Sequence, residues 1–211
     1  MHTTRERILS HLKRSPGASV EALSQALDLA PMTIRQHLSR MGGDGLVDAE
    51  SERRPTGRPA LVYSLTPKGD ARFPKAYDRL ASLLLEELGR IDRGQLDGLD
   101  TGTRLQVVYR RIAERAAEPH MDELNRLSGR DRIEAAVVIL KRESEFAEVE
   151  DEAGGALVVR EYNCVYQSVA QGHHDLCTFH TEYVRQLVGV DVVLDTCQCD
   201  GASACRFRIQ A

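Results

Sequence analysis

Apolar residues at the start of the chain recur at helical spacing in three short blocks: Ile8, Leu9 and Leu12, then Val20, Leu23 and Leu27, then Ile34, Leu38 and Met41. Thr3 or Thr4 is placed to cap the first block and Ser19 the second, while Ser15-Pro16-Gly17 breaks the chain between them. Pro31 suits the opening turn of a third helix, which the pattern carries to about Met41 before Gly42-Gly43. A strand is expected to begin at Leu46-Val47 and a second to cover Ala60 to Leu65, with a polar, Arg- and Pro-containing loop from Glu50 to Pro59 between them. Three helices followed by a hairpin with a basic tip predict a winged helix-turn-helix.

Beyond Thr66-Pro67-Lys68 the period stays helical. A long helix is expected from Asp70 to about Arg93, with Tyr77, Leu80, Leu84, Leu88 and Ile91 as one stripe and a kink or restart at Pro74. Further helices are expected over Thr103 to Ala117 and Gly129 to Arg142. The pattern then changes to strand-like runs at Phe146 to Glu150, Ala156 to Tyr162, Val190 to Leu194 and Arg206 to Ile209, around one helix from His174 to Val188. The fold class expected is α+β: a winged helix-turn-helix over 1–68, a helical linker and dimerisation region over 69–143, and a small α+β sensor domain with the cysteines over 144–211.

Composition adds two asymmetries. With 42% hydrophobic and 28% charged residues the chain reads as an ordinary globular protein. Its net charge of −4 speaks against nucleic acid until it is divided. Through Lys68 ten Lys and Arg face seven Asp and Glu, so a basic head precedes an acidic body. The opening residues carry no apolar run of signal-peptide type and no run is long enough to span a bilayer, so a cytoplasmic protein without membrane contact is expected. All five cysteines, Cys164, Cys177, Cys197, Cys199 and Cys205, fall in the last quarter. In a reducing compartment such clustering suggests metal binding or redox chemistry, or else small buried residues.

The second helix of a helix-turn-helix reads base edges in the major groove. With Ile34, Leu38 and Met41 turned inward, Met32, Thr33, Arg35, Gln36, Ser39 and Arg40 are left to meet DNA. Arg and Gln suit bidentate contacts to guanine and adenine, and Thr33 a phosphate or a thymine methyl. Arg53, Arg54 and Arg58 on the wing are expected to follow phosphates or enter the minor groove. The bland alternative for these side chains, a solvated helix face, loses to the order of capped helix, tight turn, helix and basic wing.

The stretch Met32-Thr33-Ile34-Arg35-Gln36-His37-Leu38, then Gly45-Leu46-Val47, Gly57-Arg58-Pro59-Ala60 and Tyr63-Ser64-Leu65-Thr66, resembles the ArsR/DeoR-like winged-helix regulators. Within these the chain is similar to the SufR-type group, repressors of iron–sulfur assembly operons, and the likeness extends to the C-terminal cysteines. The resemblance implies an iron–sulfur cluster, of 4Fe-4S type, on Cys164, Cys177 and Cys205. Some members carry a further cysteine where this chain has Asp191, so Cys197 or Cys199, or a histidine or solvent, must complete the set. Cys197 is preferred because seven residues separate it from Cys205; His173, His174 and His180 are the non-cysteine candidates. In extended structure the side chains of Cys197 and Cys199 would point in parallel, an awkward pair of ligands for one centre. Zinc remains open through Cys177-x2-His180, as do a thiol switch, a small organic ligand and plain burial. The partners expected are double-stranded operator DNA and a second copy of the chain. No nucleotide-binding glycine motif or Cys-x2-Cys pair points to an enzyme.

Overall fold

A computed structural model describes residues 3–53, 59–152 and 154–210. The chain divides into two compact units, Met1–Phe73 and Pro74–Ala211.

In the first unit α1 (Thr4–Arg14) opens on a capping box: the Glu6 N–H donates to Thr3 Oγ1 at 3.3 Å and the Thr3 N–H to the Glu6 carboxylate at 2.8 Å. A two-residue strand, β1 (Ala18–Ser19), leads into α2 (Val20–Leu27), whose Ala22 N–H is capped by Ser19 Oγ. Asp28 ends α2 in the left-handed region at φ 51°. Next come α3 (Pro31–Gly43), β2 (Val47–Glu52), β3 (Ala60–Leu65) and the single turn α4 (Pro67–Asp70). The strands form an antiparallel sheet in the order β1-β3-β2. Ile8, Leu12, Leu23, Ile34, Leu38 and Met41 are almost wholly buried and make one apolar centre beneath α3. At the far end α4 rides directly on the chain before β2: a Cβ at Gly69 would lie 2.1 Å from the Leu46 carbonyl oxygen.

The second unit begins with α5 (Tyr77–Leu88), α6 (Thr101–Leu124) and α7 (Gly129–Ser144). β4 (Ala147–Asp151), β5 (Leu157–Glu161), the short α8 (Gln167–Ala170), α9 (Leu176–Val188), β6 (Val192–Thr196) and β7 (Cys205–Ile209) complete it. Its sheet is antiparallel in the order β4-β5-β7-β6. Ala113, Ala116 and Ala117 let α6 approach α9 closely, and Phe179, Tyr183 and Leu187 of α9 share one core with Ile112, Leu140, Val159 and Phe207. Helices and sheet therefore belong to one unit, which takes in most of the segment expected as a linker (69–143) together with that expected as a sensor domain (144–211).

The α+β class and the winged helix stand as expected, and several boundaries move. The long helix over Asp70 to Arg93 is broken: α4 stops at Asp70 and α5 starts at Tyr77. Pro74 lies in this break, where the Pro74 carbonyl accepts from Asn163 Nδ2 and the Ala76 N–H donates to the Val165 carbonyl. Of the expected stripe, Leu80 is buried in the unit's own core, Tyr77, Leu84 and Ile91 are half-buried and Leu88 is 68% exposed, while Leu83 is buried and Leu85 is 69% exposed beside it. Conversely, α6 runs through Pro119 to Leu124, because fully burying Leu124 offsets the one backbone hydrogen bond proline removes. β2 extends to Glu52, three residues into the expected loop, paired with β3 up to Ala60. Among the described residues, no helix is long and apolar enough to cross a membrane.

Candidate functional site

On α3 the inward residues Ile34, Leu38 and Met41 are buried in the core, which turns the opposite face outward. That face carries Met32, 63% exposed, with Arg35, Gln36, Ser39 and Arg40 exposed and Thr33 half-buried. Arg35 Nη2 lies 3.5 Å from Glu21 Oε1 on α2, with both side chains largely in solvent, so this pair holds Arg35 only weakly and leaves it available to a base or phosphate. Arg53 is exposed just beyond the end of β2. Arg54 and Arg58, the other two wing cations, lie outside the described residues.

The cysteines come from separate elements of the second unit. Cys164 follows β5, Cys177 sits in the first turn of α9, Cys197 caps a 3-10 turn after β6 that contains Cys199, and Cys205 opens β7. Pairing of Glu161 with Cys205 in the β5–β7 ladder brings the two ends of this constellation together. Gln198 then closes the loop from inside, its buried amide donating to the carbonyls of Tyr162 and Ser203. As a result Cys164, Cys177, Cys197 and Cys205 line one cavity with His180, walled by Tyr166 and Phe207.

Cys199 stands just beside them. Cys177 Sγ is 3.4 Å from Cys197 Sγ and 3.6 Å from Cys199 Sγ, and the three sulfurs lie within 4.8 Å of one another. The expectation that Cys197 and Cys199 would be awkward partners is corrected here. Residues 198–200 form a 3-10 turn rather than extended chain, so both thiols reach Cys177.

Backbone amides aim at the sulfurs. The Cys199 N–H donates to Cys197 Sγ at 3.3 Å, the Gln198 N–H to Cys205 Sγ at 3.4 Å, and the Tyr166 N–H to the Cys164 sulfur. Such bonds steady thiolates, and they pick out three of the four sulfurs in the cavity wall. The thiols do not ionise alike. Hydrogen bonding from the Cys205 thiol, then from the Cys199 amide and the other thiols, brings Cys197 down to about 5 against the cost of its burial. Burial pushes Cys164 up to about 12 and Cys199 to about 11. Burial, reinforced by bonding to Cys197, raises Cys177; the bond to Cys197, reinforced by burial, raises Cys205. Among these thiols Cys197 is the one whose surroundings favour the thiolate.

The histidines separate clearly. His173 and His174 are exposed, with His174 Nδ1 3.4 Å from Asp200. His180 faces the cavity, its Nε2 2.5 Å from the buried Glu161 carboxylate. Burial lowers His180, but the charge and hydrogen bond of Glu161 outweigh it and the net shift is upward. Glu161 had no signal in the sequence: it is a strand residue whose neighbour across the fold is set only by the placement of α9. Arg160 and Arg206, on either side of the cysteine-bearing segment, pair with Glu150 and Glu152.

Residues 1–48 match the family model described as winged helix-turn-helix DNA-binding. No curated protein matches the chain. Among solved structures, the chain is similar to a MarR family transcription regulator at 29% identity and a TM-score of 0.30, over 45% of this chain and 62% of that one. The chain thus spans less than two thirds of that neighbour's length. What the fold and the family model together establish is a winged helix-turn-helix of DNA-binding type at the N-terminus, joined to an α+β unit that holds a cysteine cluster.

Proposed function

We propose that the protein is a homodimeric transcriptional regulator of an iron–sulfur assembly or redox-stress operon, whose operator binding is governed by an iron–sulfur cluster in the second unit. The observation that carries this reading is the convergence of Cys164, Cys177, Cys197 and Cys205 on one cavity, from four places spread over the last quarter of the chain. The donor set fits: thiolates are the usual ligands of such clusters, and amide-to-sulfur hydrogen bonds stabilise them. The SufR-type resemblance of the reading helix and cysteine spacing points the same way.

Bound there, a cluster would supply a centre whose integrity depends on oxidants and on iron supply. The chain's own residues would do the rest. Cys177 is in the first turn of α9, and Phe179 and Tyr183 of that helix pack in the core shared with α6, so a change in how Cys177 is held bears on the main helix pair. Exposed Leu85 and Leu88 support a face for a second copy on α5. In a two-fold dimer the reading helices must meet half-sites about 34 Å apart, so a modest shift in the second unit alters fit to the operator. The coupling requires that loaded and unloaded protein differ in operator affinity.

Anaerobic purification followed by iron and acid-labile sulfide analysis tests the reading. Coloured protein with iron and sulfide in comparable amounts, lost in Cys177→Ser, is expected. Colourless protein with neither element after reconstitution would overturn it.

A further inference from the structure

The geometry points to a second metal site built from the same loop: Cys177, Cys197 and Cys199 bind a single soft divalent ion, zinc, in exchange for the cluster. The inference rests on the cysteine centre proposed above for its biological meaning, sharing Cys177 and Cys197 with it, but its chemistry stands without a cluster.

Distances make the case. A zinc–sulfur bond of about 2.3 Å sets a tetrahedral sulfur–sulfur edge near 3.8 Å. The observed separations from Cys177 Sγ, 3.4 Å to Cys197 and 3.6 Å to Cys199, lie just inside that edge, and all three sulfurs fall within 4.8 Å. A single ion needs only small outward movements to be seated among them. Thiolates of a four-iron cluster bind different irons and must stand further apart. The trio's spacing therefore suits one ion as it stands, whereas the cavity set shares the close Cys177–Cys197 pair, which would have to part before those thiols could bind different irons.

The trio is also held in place before any ion arrives. The 3-10 turn that carries Cys199 back beside Cys197 is closed by the Asp200 and Ala202 amides, both donating to the Cys197 carbonyl, and by Gly201 at φ 86°. Cys177 is fixed by α9, with Thr181 Oγ1 donating to its carbonyl. Cys177 and Cys199 are only half-buried, which leaves water to fill the fourth position. Binding releases the thiol protons to solvent and leaves every sulfur in its reduced state. Because Cys177 and Cys197 cannot serve both centres, zinc and cluster compete, and Cys199 marks the zinc form while Cys164 and Cys205 mark the cluster form.

The experiment is a double dissociation on the full chain. Metal-free reduced protein is titrated anaerobically with zinc against a chromophoric chelator, and with cobalt to read thiolate-to-metal charge transfer. The parent takes one ion per chain with three thiolates. Cys199→Ser weakens zinc by more than about tenfold, the loss that even an outer-shell change produces, and leaves iron and sulfide loading intact. Cys164→Ser does the reverse. Cys199→Ala repeats the first arm without a hydroxyl that could ligate. Unaltered zinc affinity in both Cys199 variants, or no zinc bound by the parent, overturns the inference. A parent that binds zinc as described but never loads iron and sulfide leaves the single-ion site standing and removes the cluster reading instead.

Discussion

The two units place their polar chemistry in opposite environments. In Met1–Phe73 the interior is apolar apart from Lys13, which pairs with Asp70, and the proposed DNA-reading side chains, Arg35, Gln36, Ser39, Arg40 and Arg53, stand in solvent. In Pro74–Ala211 the working groups are inside: sulfurs, His180 on Glu161, and the amides of Gln198 and Asn163. A DNA reader can leave its cations hydrated until the phosphates arrive, so it needs only a rigid apolar underside. A centre built from inward-facing groups must be shaped beforehand, and each polar group taken inside has to be matched there. Asn163 illustrates the cost, since its amide donates to the carbonyls of Pro74 and Ser144 while its oxygen accepts from Lys75. The lesson is one of tolerance: surface substitutions in the first unit should alter binding without altering folding, and buried ones in the second should do both.

The sharpest break in that comparison comes from the cores. Phe179→Ala removes a fully buried ring of the second unit and is expected to cost about 3–5 kcal/mol in denaturant unfolding. Amide exchange in α1 to α3 should stay near the parent values, because the first unit has its own core. Exchange rising equally in both units would mean that they do not fold as separate units. Next in size is Gly69→Ala, where the new methyl meets the Leu46 carbonyl and one backbone segment must yield. A loss of about 1–3 kcal/mol confined to the first unit is expected in the same measurement. Parent-like stability there would mean that α4 is free to move off the chain before β2.

Smaller effects concern function directly. Arg35→Ala should cost about 1–3 kcal/mol of binding to the specific operator while leaving melting unchanged. Arg53→Ala should weaken all DNA alike and lower the salt slope by about one counterion. An Arg35→Ala protein that loses specific and non-specific binding equally would move Arg35 from base reading to the backbone. The least perturbing probe is alkylation of metal-free protein at pH 7. Cys197, near 5, is thiolate there and Cys164, near 12, is thiol, so Cys197 should be modified first in a mass-spectrometric time course. Cys164 leading would contradict the charge distribution among the sulfurs.

Much of the first unit was legible because its signals are local. Thr3, Ser19 and Pro31 mark helix starts within a residue or two, and the apolar spacing of Ile34, Leu38 and Met41 alone predicts which face of α3 is outward. β1 was not, since Ala18-Ser19 carries no strand pattern and exists only because Tyr63 and Val62 pair with it. In the second unit the signals are remote. The break at Pro74 was visible as a disturbance, but its depth depends on Asn163 and Val165, nearly ninety residues away. The cysteines announced a centre by clustering, whereas the grouping of Cys199 with Cys177 depends on a 3-10 turn over residues 198–200. Glu161 beneath His180 could not be read at all without the fold.

The central claim is that the state of the cysteine centre sets DNA binding, and one titration addresses it most directly. Operator DNA is titrated anaerobically with the same protein preparation, first loaded with iron and sulfide and then stripped by a chelator under reducing conditions. Affinities that differ by roughly 5–150-fold are expected, the range of ordinary allosteric coupling. Superimposable curves for the loaded and stripped protein would contradict that claim.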